Sequence, residues 1–285
     1  MVALQILVNG LLSGGVYALV AVGMTLVFAV AGLVNFAQGA LVTVGLYLTF
    51  VATSQLSANV YLALAPIAAV ACAAGFAIMY LAAPIMGRPP LSQLTFTLGL
   101  MVTVEALLEA VFHSDPVRVR GMRMARLSLG PIYVATPRLI AFAGAIAVAA
   151  LLFLFLRTTK WGMAVRAVAQ NAAMAQLVGI PSKLVLALAF GLATATAAIA
   201  GVLISPFLTI SPTVGHSFLA ASFAAIVIGT KGNILGAFLG GLMIGVAEAF
   251  GVLFLGDAMK DAVFFAVVLL MLMFRPEGLF AHAQR

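Results

Sequence analysis

The chain has 285 residues, of which 65% are hydrophobic and 7% charged, and its mean hydropathy is +1.26. Soluble domains carry about 25% charged residues, so a soluble globular fold is excluded. Continuous rather than alternating apolar runs argue against a membrane β-barrel, and the net charge of +7 sits in connectors, as loops facing lipid or cytoplasm require, which is no nucleic-acid signature.

The first 87 residues contain no Lys, Arg, Asp or Glu. The first apolar span is Leu4–Val30, and Leu4–Ala31 reads as a retained transmembrane helix rather than a signal peptide, because the N-terminus lacks a charged n-region and a convincing cleavage site. The second span, Leu33–Val51, is interrupted by Asn35 and Gln38, flanked by Gly32 and Gly39. That pattern suits a broken helix whose freed amides line a cavity, or else two amides bonded to neighbouring helices. The third span, Val60–Pro84, holds the single cysteine, Cys72, which reads as a small buried hydrophobe and offers no disulfide or metal framework.

Leu91–Phe112 is the fourth span. Glu105 and Glu109 lie one helical turn apart on it, in its outer part, placed to bind a substrate amino group or to pair with arginines of the loop that follows. Thr95 and Thr97 in its first turns either line a pathway or bond to their own backbone. The connector Ser114–Arg138 carries Arg118, Arg120, Arg123, Arg126 and Arg138 against Asp115. Counting spans places it outside, against the positive-inside rule, and it is expected to be a small folded external element.

After the fifth span, Leu139–Leu156, comes the polar stretch Arg157–Pro181. Its Ala-rich body reads as one short helix, with Gly179 and Pro181 as the stop. It lies on the side marked by Arg88, Lys183, Lys231 and Arg275, which is expected to be cytoplasmic. Leu184–Ile204, Phe218–Gly229, Ile234–Leu255 and Ala258–Phe274 follow. Since a crossing needs about 20 residues, the short Phe218–Gly229 run leaves the total at eight or nine. In Ile234–Leu255, Gly236/Gly240 and Gly241/Gly245 have GxxxG spacing, for packing within the subunit or for a dimer seam. Glu248 in the same span is a third intramembrane acid. No internal repeat is evident, and the chain reads as one domain.

Absent chemistry narrows the class. No phosphate-binding GxxxxGK[ST] loop is present, and Gly229–Asn233 is only a glycine-rich turn. His113, His216 and His282 lack metal-ligand spacing, and no lysine sits in mid-span. Neither catalysis, cofactor nor metal is expected.

Five segments then carry a resemblance: Gly10–Ala40, Gly87–Leu100, Thr159–Ile180, Ile226–Glu248 and Phe274–Phe280. Together they resemble permease subunits of branched-chain amino acid ABC importers of the LivH type, in that family's order. The resemblance implies an all-α polytopic protein of the bacterial inner membrane, with about eight or nine transmembrane helices, a broken second span and a short cytoplasmic coupling helix. It implies as partners a second, similar permease, two cytoplasmic ATP-binding subunits and a soluble substrate-binding protein, in a bed of membrane lipid. It makes Arg157–Pro181 the coupling segment. Gly162 would open the helix, Arg166 and Gln170 would form its polar face, and Val165, Val168 and Ala172 an apolar one. Small side chains such as Ala167 would let it enter a groove on an ATPase, while Asn171 and Gln176 set register and Gly179 turns the chain back. Asn35, Gln38, Thr95, Thr97, Glu105 and Glu248 are the expected pathway residues. The acids at 105 and 109 depart from the apolar or amide residues expected there, which leaves the cargo open among branched-chain and other amino acids, short amides and urea. A stand-alone ion-coupled carrier or channel using these carboxylates is the competing reading, and a structural subunit of a respiratory complex a third.

Overall fold

A computed structural model describes residues 2–55, 59–86, 88–113, 115–119, 126–129, 132–230, 232–256, 259–275 and 278–279. The elements in order are α1 (Val2–Ala31), α2 (Gln38–Gln55), α3 (Leu64–Met86), α4 (Pro90–Phe112), β1 (Arg126–Leu129), β2 (Ile132–Ala135), α5 (Thr136–Thr158), α6 (Lys160–Gln170), α7 (Ala172–Leu177), α8 (Ser182–Ile204), α9 (Gly215–Gly229), α10 (Ile234–Leu255) and α11 (Lys260–Phe274). Among the described residues the helices run between two ends, one marked by the β1–β2 hairpin and the other by α6–α7, with α2 and α9 starting inside the protein. Six helices (α1, α3, α4, α5, α8 and α10) are long and apolar enough to cross a membrane by themselves. The all-α polytopic architecture expected from composition is the one observed.

Tight packing follows from small residues, since lipid supplies little hydrophobic drive between helices. The central helix α8 reads AFGLATATAAIAG through its middle and is buried along almost its whole length. A side chain at Gly45 of α2 would strike the backbone of Ala198, and one at Gly201 the backbone of Val42. Gly191 is similarly pressed against the Cys72 carbonyl of α3. On the other flank, Gly241 and Gly245 face the backbones of Ala18 and Gly14 in α1, while Gly236 and Gly240 face Gly229 and Ala225 in α9. All four GxxxG glycines therefore serve packing inside this subunit, and the dimer-seam alternative does not hold for them.

These contacts reveal a repeat that the sequence hid. The two most extensive helix pairs are α1 with α10 and α3 with α8. They map onto one another if α1–α4 is matched to α8–α11, and α2 against α4 then corresponds to α9 against α11. Matched helices run in opposite directions, so the repeat is inverted, with α5–α7 as linker. The match is partial, since the extensive α9–α10 contact has only a slight counterpart between α2 and α3, and a linear reading does not detect it.

In each half a long helix is followed by a segment that folds back inward before the next helix starts. Gly32, with φ of +70°, ends α1, and residues 33–37 are non-helical. The second span is thus broken at its beginning, not within, and its helix opens only at Gln38. In the other half Ser205–Val214 turns back before α9. The connector after α4 contains the expected folded element, with β1 and β2 pairing from Arg126–Ala135 to Leu129–Ile132. Val117 pairs with Ile210 of the second re-entrant segment. Arg120 and Arg123 lie outside the described residues, as do Lys231 and His282.

Candidate functional site

The first re-entry is held by the two amides singled out from sequence. Asn35 Oδ1 accepts from the Ala37 N–H at 3.1 Å, an Asx turn that competes with helix. Its Nδ2 donates to Gln38 Oε1 at 3.2 Å, and Gln38 Nε2 donates to the Ala193 carbonyl of α8 at 3.1 Å. Both side chains are completely buried. They do not line an open cavity in this conformation, because every amide arm described is consumed in pinning the start of α2 to the middle of α8. Ala193 lies eleven residues into α8, about 16 Å along it. The N-terminus of α2 therefore begins deep inside the protein.

The second re-entry meets the first. A side chain at Gly39 would strike the Gly215 carbonyl, and one at Gly215 the Gly39 carbonyl. Two helix N-termini of opposite direction thus converge inside the protein, and no side chain caps α9. The next residue, His216, places Nε2 at 3.1 Å from Glu105 Oε1 of α4. Among the described residues, Glu105 thus pairs with a histidine of α9. Sequence reading considered His216 only as a metal ligand, and a partner 111 positions away carries no local signal.

Thr95 is exposed and Thr97 fully buried, so they do not share a face. Residues two apart on a helix point about 200° apart. Both hydroxyls donate to their own helix, Thr95 to Leu91 and Thr97 to Leu94. Glu248 of α10 is hydrogen-bonded to the Tyr17 hydroxyl of α1, with Asp261 and Arg138 close enough to act on that same tyrosine. Aromatic packing of Tyr17 on Phe218 and Phe264 surrounds this group, which ties α1, α9, α10 and α11 together. At the hairpin end, a cavity of about 850 Å³ is lined by Phe50, Thr53, Ser54, Pro116, Val117, Arg118 and Thr209. Arg118 Nε donates to Thr209 Oγ1 at 2.8 Å there, beside the strand leading down to α9.

At the opposite end the polar insert is two helices, not one. Thr159 caps α6 by accepting from the Gly162 N–H at 3.0 Å. Helix α6 thus opens at Lys160, and Gly162 is needed for another reason: a side chain there would strike the backbone of Phe155 and Leu156. Asn171, extended at φ −159°, ends α6 and caps α7 by accepting from Met174 N–H at 3.0 Å. Its side chain is spent locally, and it is the break between the helices. Gly179, at φ +84°, closes α7 with Ile180 N–H bonded to Ala175 O at 2.9 Å and Gly179 N–H to Gln176 O at 3.0 Å, a Schellman stop.

The burial of this hairpin corrects its expected faces. Val165 and Val168 are buried against the permease's own core with Leu26, Leu156 and Val185, so they are not free for a partner. Arg166, Ala169 and Gln170 are exposed, Ala167 is half-buried, and Arg166 and Gln170 border a cavity of about 760 Å³ with Gly32 and Asn233. The missed residues are at the tip: Met174, Leu177 and Val178 are 60%, 81% and 77% exposed. Apolar side chains this open, on a six-residue helix held at both ends, form a ready contact surface.

In sequence, the chain matches known proteins along almost its whole length. Residues 6–272 match the family described as the branched-chain amino acid transport system permease component. The chain is 34% identical over 299 residues to the Pseudomonas aeruginosa high-affinity branched-chain amino acid transport system permease protein BraD, covering 99% of this chain and 96% of that one. It is 31% identical over 296 residues to the corresponding permease protein LivH of Salmonella typhimurium, with the same coverage. A probable branched-chain amino acid transport permease of Methanocaldococcus jannaschii is 27% identical over 264 residues, covering 89% of this chain and 82% of the relative.

Proposed function

This chain belongs to the family of branched-chain amino acid transport permease components, and from that premise we propose that it is one transmembrane subunit of an ATP-driven amino acid importer in a bacterial inner membrane. The observation that carries the coupling half of this reading is the α6–α7 hairpin. It is anchored on the permease core by Gly162, Val165 and Val168, and it presents Met174, Leu177 and Val178 outward. A rigidly based, apolar-tipped lever suits insertion into a groove of a cytoplasmic ATPase. Closure of two such ATPases would then be transmitted through α5, α8 and α1, on which the lever is seated, as rigid-body movement.

The pathway half rests on the inverted repeat. In transporters with such repeats, substrate sites lie at the repeat interface, where discontinuous helices expose their N-termini near the midplane. The convergence of α2 and α9 at Gly39 and Gly215 has that form. The remaining components are a second, similar permease, two ATP-binding subunits and a soluble binding protein that delivers cargo at the hairpin end. Branched-chain amino acids are the cargo that the family membership supports.

The test is uptake of radiolabelled leucine, isoleucine and valine into proteoliposomes holding this chain with a cognate permease and ATPases, with binding protein added outside. Uptake that requires ATP inside and binding protein outside is expected. Ion-gradient-driven uptake by the chain alone would overturn the importer in favour of a stand-alone carrier.

A further inference from the structure

Glu105 and His216 form an ionisable pair at intramembrane depth whose position can be measured along two helices. From Pro90 to Glu105 is fifteen residues of α4, about 22 Å at 1.5 Å per residue. From Gly229 back to His216 is thirteen residues of α9, about 20 Å. Both counts start from the α6–α7 end and agree within one turn, which sets the pair about two-thirds of the way across a ~30 Å hydrocarbon core.

At that depth the exposure of the pair is informative. The His216 side chain is 49% exposed and that of Glu105 17%. An ionisable group facing lipid there is costly, so such groups turn toward a bundle interior or a water-filled cavity. The surface bearing His216 therefore faces the aqueous route or the seam with the second permease. Four and seven residues further along α9, on the same helical face, are the half-buried Ala220 and Phe223. One surface thus offers a carboxylate, an imidazole beside an uncapped helix start, and an apolar strip below them.

We infer that Glu105 and His216 are the intramembrane subsite for the charged end of a zwitterionic α-amino acid with an apolar side chain. Glu105 accepts from the substrate ammonium, which takes the place of the imidazole. His216, released from Glu105, donates to the substrate carboxylate beside the positive end of the α9 dipole. The side chain of the cargo lies along Ala220 and Phe223. When no cargo is present the two residues satisfy one another at 3.1 Å, which avoids leaving either group alone in a poorly solvated place. The inference rests on the importer reading and deepens it.

The experiment uses the complete importer in proteoliposomes, with assembly verified by size exclusion. In a Cys72→Ala background, which removes the single native cysteine, His216→Cys is treated with a membrane-impermeant methanethiosulfonate reagent. Labelling is expected, and saturating leucine-loaded binding protein with ATP should slow it. Glu105→Gln should lower leucine uptake about 10- to 100-fold, the loss of one charge-assisted hydrogen bond. Labelling by a membrane-permeant reagent alone would overturn the inference, because His216 would then face lipid. So would wild-type leucine uptake by assembled Glu105→Gln complex. In either case ATP-driven uptake by the wild type would leave the importer reading standing, whereas its loss in the wild type would remove that reading itself.

Discussion

Leu177 at the tip of the α6–α7 hairpin offers a direct measure of the docking surface. Its side chain is 81% exposed, so truncation to alanine changes the isolated permease by no more than about 0.5 kcal/mol. Complete burial of a leucine side chain is worth about 1.5–3 kcal/mol. If an ATPase groove covers the exposed four-fifths, Leu177→Ala should weaken the complex by about 1–2 kcal/mol, or roughly 5- to 30-fold in Kd. Leu177→Asp adds the cost of desolvating a carboxylate and should separate the subunits at micromolar concentrations. Tagged ATPase subunits would be titrated against permease in nanodiscs, with binding-protein-stimulated ATP hydrolysis recorded in parallel. A Leu177→Asp complex of undiminished affinity and stimulation would refute the assignment of this tip as the ATPase contact.

Three further outcomes are expected. Arg166→Glu, on the exposed side of α6, should reduce ATPase co-purification and coupled uptake while permease yield stays the same; intact coupling would confine docking to α7. Gln38→Leu strips Asn35 Nδ2 of its acceptor and the Ala193 carbonyl of one donor, a cost of about 1–3 kcal/mol for the orphaned amide. Lower thermal stability in detergent together with lost uptake is expected, and wild-type values for both would mean that the pin is dispensable. Gly245→Leu drives a side chain into the backbones of Gly14 and Gly10, so fluorescence-detected size exclusion should show loss of folded permease. A well-folded variant defective only in pairing with its partner permease would return the α10 glycines to the subunit seam.

Much of the architecture was legible because its signals are local. Long apolar spans, Gly32 and Gly179 at chain reversals, and a polar insert with helical stops each depend on nearby residues alone. Asn35 and Gln38 were found for the right reason, as polar groups where they are expensive, yet their use as a pin depends on Ala193 more than 150 positions away. Val165 and Val168 looked available to a partner because helical periodicity shows that a face is apolar but not what covers it. In this protein α1, α5 and α8 cover it, which moves the outward surface to Met174, Leu177 and Val178.

By itself, then, the sequence determined the class of solvent, the all-α polytopic architecture and the family. These follow from composition, periodicity and short-range stop signals, which act along the chain. Only the tertiary structure decided that the halves are inverted copies, that α2 and α9 begin inside the protein and meet at Gly39 and Gly215, and that Glu105 and His216 form a pair. Those features are set by which backbones can approach closely in three dimensions, and that depends on helices distant in sequence.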